Sequence, residues 1–280
     1  MDVERVVSAD GTPIAFRRLG SGPPVVALHG GLGSWRSWEA VARVLADRFE
    51  FLLVDRRGRG DSGDGASPHA LEREVEDARA VVAAPGRAGG PAAGDAEQRR
   101  APALLGHSYG GAVALELART AAPGELRALL LYEPAVGIDG AVTPEQLTSL
   151  RQCVLDGAPE RAVPLSMELL DAAGLVVADG PLASLRIKPT AAFRRLAATV
   201  PDEISAVAPL GEEHLASCAA ISVPTLLMVG SESPPRAAAN CRALAEALPA
   251  AEVVVLDGLG HVAHTTAPER VAQAIGAFLA

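Results

Sequence analysis

Three residue types that act together in acyl transfer are spread along the 280-residue chain: a serine fenced by glycines, a histidine near the end, and carboxylates between them. Ser108 lies in "LLGHSYGG", so that Gly106-His107-Ser108-Tyr109-Gly110 fits G-x-S-x-G. Each glycine costs conformational entropy, so this density implies a backbone turn that other residues adopt poorly. Between a strand and a helix such a turn pushes the serine hydroxyl out of the sheet. It also aims the next backbone N–H groups and a helix N-terminus at the same point, where a developing oxyanion needs donors. The Tyr109 amide is one such donor.

A serine hydroxyl is a weak nucleophile until a base takes its proton. His261 in "DGLGHVAH" is the expected base, because it follows the last strand-like run. A carboxylate must then orient the imidazole and stabilise its charged form. Glu232 in "MVGSESPP" is the expected acid, and the order Ser108, Glu232, His261 is the one this kind of site uses. Glu133, in "LLLYEPA" at the end of the strand after the turn, is the alternative acid. His264 is expected to pack or bond locally, His107 to support the turn from below, and Asp257 to face away from the His261 ring.

The elements that must position these residues follow from hydrophobic patterning. Short apolar runs, "PPVVALHG", "FEFLLVDRRG", "APALLGHS", "LRALLLYEP", "PTLLMVGSES" and "AEVVVLDGLGH", alternate with stretches of helical period such as "HALEREVEDARAVVA" and "GGAVALELARTAA". That alternation predicts an α/β fold with a mostly parallel central sheet flanked by helices. The polar residues that close each run then fall at the carboxyl ends of the strands, where such sheets bind ligands. "RVVSADGTPIAFRRLG" instead predicts a hairpin about Asp10 and Gly11. "APGRAGGPAAGDAEQRR" has the composition of an exposed loop. Residues 137–220 hold helix-like pieces without a buried strand, and are expected to form an inserted helical cap on a core of residues 1–136 and 221–280. Met167, Leu170, Leu175 and Phe193 are candidates for its underside.

With these residues in hand, the chain resembles the α/β-hydrolase superfamily over Gly20 to Pro134 and Ile221 to Ala280. The family's HG-x loop after an early strand matches "LHGGLGSW", which makes the Gly31 amide the implied second oxyanion donor. "DRRGRGDSG" is similar to the loop after the next strand. The resemblance implies ester, thioester or lactone hydrolysis through an acyl-enzyme at Ser108, with no metal and no organic cofactor. Serine at the nucleophile position, in place of aspartate, disfavours the alkyl-enzyme route of related dehalogenases and epoxide hydrolases. Non-hydrolytic work on the same scaffold (C–C cleavage, acyl transfer or cyclisation) and a ligand-binding protein with a relic triad are the alternatives.

Trp35, Tyr109 and Met167 are the candidate substrate-binding residues. Arg56, Arg57 and Arg59 either bind a substrate carboxylate or fix their loop on backbone carbonyls. A net charge of -9 argues against nucleic acid or an anionic membrane surface as partner and leaves a small molecule. No apolar run approaches the roughly 20 residues of a bilayer span, and the N-terminus has no apolar leader segment, so the expected compartment is the cytoplasm. Three cysteines without C-x-x-C spacing indicate neither a disulfide framework nor a zinc site. A monomer or homodimer is expected, and the wealth of Ala, Arg, Gly and Pro fits a GC-rich bacterial genome.

Overall fold

The computed structural model describes residues 1–65, 69–84, 101–136, 142–172 and 190–280. Eight strands form one sheet in the order β1-β2-β4-β3-β5-β6-β7-β8. They are β1 (Glu4–Val7), β2 (Pro13–Gly20), β3 (Pro24–Leu28), β4 (Glu50–Val54), β5 (Ala103–His107), β6 (Ala128–Tyr132), β7 (Thr225–Gly230) and β8 (Ala251–Leu256). The first two form the hairpin expected at Asp10 and Gly11, and β2 runs antiparallel to β4; every other pairing is parallel. β3, β5, β6 and β7 are buried along their whole length, as unbroken apolar runs covered on both faces must be.

The helices are α1 (Glu39–Val44), α2 (Leu71–Val82), α3 (Tyr109–Arg119), α4 (Pro144–Leu155), α5 (Ala162–Ala172), α6 (Ala191–Ala198), α7 (Val200–Val207), α8 (Glu212–Ser217), α9 (Pro235–Ala247), α10 (Ala263–Thr266) and α11 (Pro268–Phe278). One apolar layer packs α2 and α3 against a face of the sheet through Val75, Val81, Val113 and Leu117. The other face packs α1 and α11 through Val41, Val271 and Ile275. Trp38 is fully buried in that second layer and its indole N–H donates to the Leu28 carbonyl at 3.0 Å, which anchors the start of α1 to the sheet.

Between β6 and β7 the described residues are helical, α4 to α8, and Leu150, Ala162, Val163, Ala197, Val200 and Ile204 form a cluster of their own. Leu175 and residues 85–100, where the sequence predicts a loop, lie outside the described residues. None of the described helices is long and apolar enough to cross a membrane.

Candidate active site

The turn that carries Ser108 is built by two backbone approaches that only glycine allows. A Cβ on Gly106 would stand 2.4 Å from the Gly110 carbonyl oxygen, and one on Gly110 would stand 2.4 Å from the His29 carbonyl oxygen. β5 therefore turns directly into α3 against the end of β3. Ser108 sits at the apex with φ 51°, in the left-handed region that L-residues avoid. Its strain is held by hydrogen bonds on both sides: its N–H donates to Tyr132 O at 3.0 Å, and its carbonyl accepts from Gly111, Ala112 and Ala135.

Glu133 is the other described non-glycine residue with positive φ, at 42°. It follows Tyr132, which pairs with His107 across β5 and β6, so it lies level with Ser108 on the next strand. His261 Nδ1–H donates to Glu133 Oε2 at 2.7 Å. A carboxylate only accepts, which puts the proton on Nδ1 and leaves Nε2 with its lone pair. The other Glu133 oxygen accepts from the Gly230 N–H at 2.8 Å and from Ser233 Oγ–H. Burial works to raise the Glu133 pKa, but these donors outweigh it and hold the carboxyl below its ordinary range.

The expected acid, Glu232, does not meet His261. Its side chain is exposed, and its backbone N–H is tied to Leu259 O at 2.9 Å. At the end of β7 the chain instead turns two donors, the Gly230 amide and the Ser233 hydroxyl, toward Glu133. The acid position on His261 is therefore filled from β6.

Ser108, His261, Gly31, Tyr109 and Glu133 all line one cavity of about 710 Å³. Ser108 and His261 form no direct hydrogen bond in it, an open arrangement common before substrate is bound. The amides of Gly31 and Tyr109 donate to no protein acceptor among the described residues, and so remain free for a ligand oxygen. Met167, Leu170 and Phe193 also line the cavity, with Val163, Ile204 and Val207. Trp35 does not. Its ring is half-buried against the core, with the guanidinium groups of Arg17 and Arg36 over it at 4.4 and 4.5 Å.

Arg56 and Arg59 fix the loop that carries Gly31. Arg56 donates to the His29 carbonyl at 3.0 Å and the Gly30 carbonyl at 3.2 Å; Arg59 Nη2 donates to the Gly31 carbonyl at 2.8 Å. Both are buried and share Oε1 of Glu203, at 2.6 Å each, while Arg56 also pairs with buried Glu74 at 2.8 Å. Arg57 points elsewhere, to Asp77 and Asp10. Glu203 was invisible as a site residue in the sequence, although it interrupts the apolar stripe of Val200, Ile204 and Val207 on α7.

A histidine layer packs beside His261. The rings of His107 and His261 are 4.6 Å apart and those of His107 and His264 are 4.2 Å apart, while His107 Nε2–H donates to the His261 carbonyl at 2.8 Å. Burial, then the neighbouring His261, brings the His264 pKa down to about 3; burial with His264 and His261 carries that of His107 well below the usual range. Both are neutral packing groups at pH 7. No cluster of metal-ligating side chains occurs among the described residues.

Comparison with known proteins agrees with this fold. A 141-residue stretch is 33% identical to a non-heme haloperoxidase of Rhodococcus erythropolis, covering 50% of this chain and 44% of that protein; the chain thus spans under half the length of this curated relative. Over 267 residues it is 29% identical to a pimeloyl-[acyl-carrier protein] methyl ester esterase of Xanthomonas campestris, covering 94% and 97% of the two chains. The crystal structure of an alpha/beta hydrolase from Sphaerobacter thermophilus superposes with a TM-score of 0.80 at 33% identity, covering 99% of this chain and all of that one. The sequence profile of the alpha/beta hydrolase family matches residues 25–274, and the chain belongs to that family.

Proposed function

We propose that the protein is a serine hydrolase that cleaves a carboxylic ester, thioester or lactone of a small molecule through an acyl-enzyme at Ser108. The observation that carries this reading is the 2.7 Å bond from His261 Nδ1 to buried Glu133, made in the same cavity as a serine strained at φ 51°. His261 Nε2 is thereby left as a base. Ser108 Oγ attacks the carbonyl carbon as its proton passes to Nε2, and the carbonyl π electrons move onto oxygen. The Gly31 and Tyr109 amides hold that oxyanion. Collapse breaks the bond to the alcohol or thiol, which takes the proton from His261. A water then repeats the sequence on the acyl-enzyme, giving up its proton to Nε2 and releasing the acid while Ser108 regains its hydrogen.

The helices α5, α6 and α7 act as the cap over this chemistry, supplying Met167, Leu170, Phe193 and Ile204 to an apolar acyl pocket. No lysine or arginine lines the cavity among the described residues, which suits a neutral acyl group better than an anionic one. Hydrolysis of a methyl ester, the activity named for the Xanthomonas relative, is the same reaction class.

The test is intact-mass labelling with a fluorophosphonate, followed by peptide mapping. One adduct on Ser108, absent in a folded Ser108→Ala variant, is the expected result. A folded protein that takes no label, or takes it elsewhere, refutes the acyl-enzyme route.

A further inference from the structure

Glu203 presents two unequal oxygens. Oε1 is saturated: Arg56 and Arg59 each donate to it at 2.6 Å, with Thr199 Oγ1 at 3.5 Å. Oε2 has no hydrogen-bond partner among the described residues, although the residue is only 4% exposed and lines the cavity. A carboxylate oxygen offers lone pairs only, so a cavity occupant that displaces water from it without supplying a donor leaves it unpaired, which is costly. The place of Oε2 is defined by Gly31, whose Cβ, were it present, would stand 3.0 Å from it. A Cβ lies about 2.5 Å from its own amide nitrogen, so Oε2 lies no more than about 5.5 Å from the Gly31 nitrogen whose N–H would receive the substrate oxygen.

We propose that Glu203 Oε2 selects acyl groups that carry a neutral hydrogen-bond donor, a hydroxyl or an amide N–H, on the carbon next to the carbonyl. This rests on the serine-hydrolase reading and deepens it. A donor at that carbon reaches Oε2 while the carbonyl oxygen stays on the Gly31 amide. A plain alkyl group leaves the acceptor unpaired, and an ether oxygen there sets lone pair against lone pair. A third cation is not required, because Arg56 and Arg59 already balance the charges of Glu74 and Glu203. The acceptor arrives from α7, between β6 and β7, so the helices over the cavity contribute polar selection as well as apolar lining.

The test compares ethyl 2-hydroxyhexanoate with ethyl 2-methoxyhexanoate, whose inductive effects are similar, and with ethyl hexanoate. Each rate is divided by that of hydroxide-catalysed hydrolysis. The expected kcat/KM favours the hydroxy ester over the methoxy ester by at least about tenfold, the worth of one hydrogen bond to a charged group. In Glu203→Gln the carboxamide oxygen stays on the two guanidinium groups and turns an N–H toward the cavity, so the ratio falls to about one or inverts. A wild-type ratio near one overturns the proposal, as does a ratio that survives in a folded Glu203→Gln. Failure to turn over any of the three esters by protein whose Ser108 takes the fluorophosphonate also overturns it. Absence of that label instead overturns the serine-hydrolase reading itself, so the two failures are distinguishable; should Glu203→Gln not fold, the wild-type ratio decides.

Discussion

Glu133 Oε2 accepts the His261 Nδ1 proton at 2.7 Å, across 128 positions of sequence, while Glu232, one strand further on, stays at the surface. Glu133→Gln keeps the shape of the side chain but removes the charge that stabilises an imidazolium and permits the wrong tautomer. Loss of such a carboxylate costs about 10⁴-fold in kcat in related triads. Ester turnover and the fluorophosphonate labelling rate are both expected to fall by about that order in Glu133→Gln and to change less than about twofold in Glu232→Gln. The reverse pattern would restore Glu232 as the acid.

Removing the guanidinium that bridges two buried carboxylates is expected to cost stability more than any change on the surface. Arg56→Ala leaves Glu74 and Glu203 without their shared partner, and breaking a buried pair in this way costs about 3–5 kcal/mol. Urea denaturation measures it directly. A loss below about 1 kcal/mol would mean that the charges reorganise at little cost.

Arg59→Lys tests the positioning of the oxyanion loop separately from its charge. Lysine retains the cation but not the fork with which Arg59 spans the Gly31 carbonyl and Glu203. The expected result is a fall in kcat of about tenfold or more with KM little changed, because the Gly31 donor acts most strongly in the transition state. An equal change in KM alone would assign Arg59 to ground-state binding.

The pH dependence of stability follows from His264. Its pKa of about 3 in the folded protein lies below the ordinary value of 6.5, so between these values the unfolded chain binds a proton that the folded chain refuses. Its contribution is complete above pH 6.5 and is lost as the pH falls toward 3, at about 1.4 kcal/mol per unit through the middle of that window. The groups around it are His107, His261, Tyr132 and Trp38. Denaturant midpoints of His264→Gln between pH 7.5 and 4.5 are expected to show a slope about one proton shallower than wild type. Parallel curves would exclude His264 as a source of the acid loss.

The sheet, its parallel character and the glycine-built turn at Ser108 were legible because each depends on local pattern. β3, β5, β6 and β7 are built around short apolar runs, and the glycines at 106 and 110 declare a close backbone approach before any partner is known. That Ser108, His261 and Gly31 lie at the carboxyl edge of the sheet could be read from the strand ends that precede them. The acid could not be located in this way: two strands end in glutamate-bearing turns, and chain order admits both. The choice is tertiary. β6 lies next to β5, so Glu133 leaves the sheet level with Ser108, while the Gly230 N–H and the Ser233 hydroxyl satisfy its second oxygen and allow a buried carboxylate there. Trp35 lies away from the cavity lining for a similar reason, since its neighbours in sequence do not reveal that the guanidinium of Arg17, from β2, lies over its ring. Glu203 shows the limit most clearly. The sequence alone determined that a carboxylate interrupts an apolar helical stripe. Only the folded chain brought Arg56 and Arg59 to one of its oxygens and left the other facing the cavity, because those contacts join residues 144 and 147 positions apart.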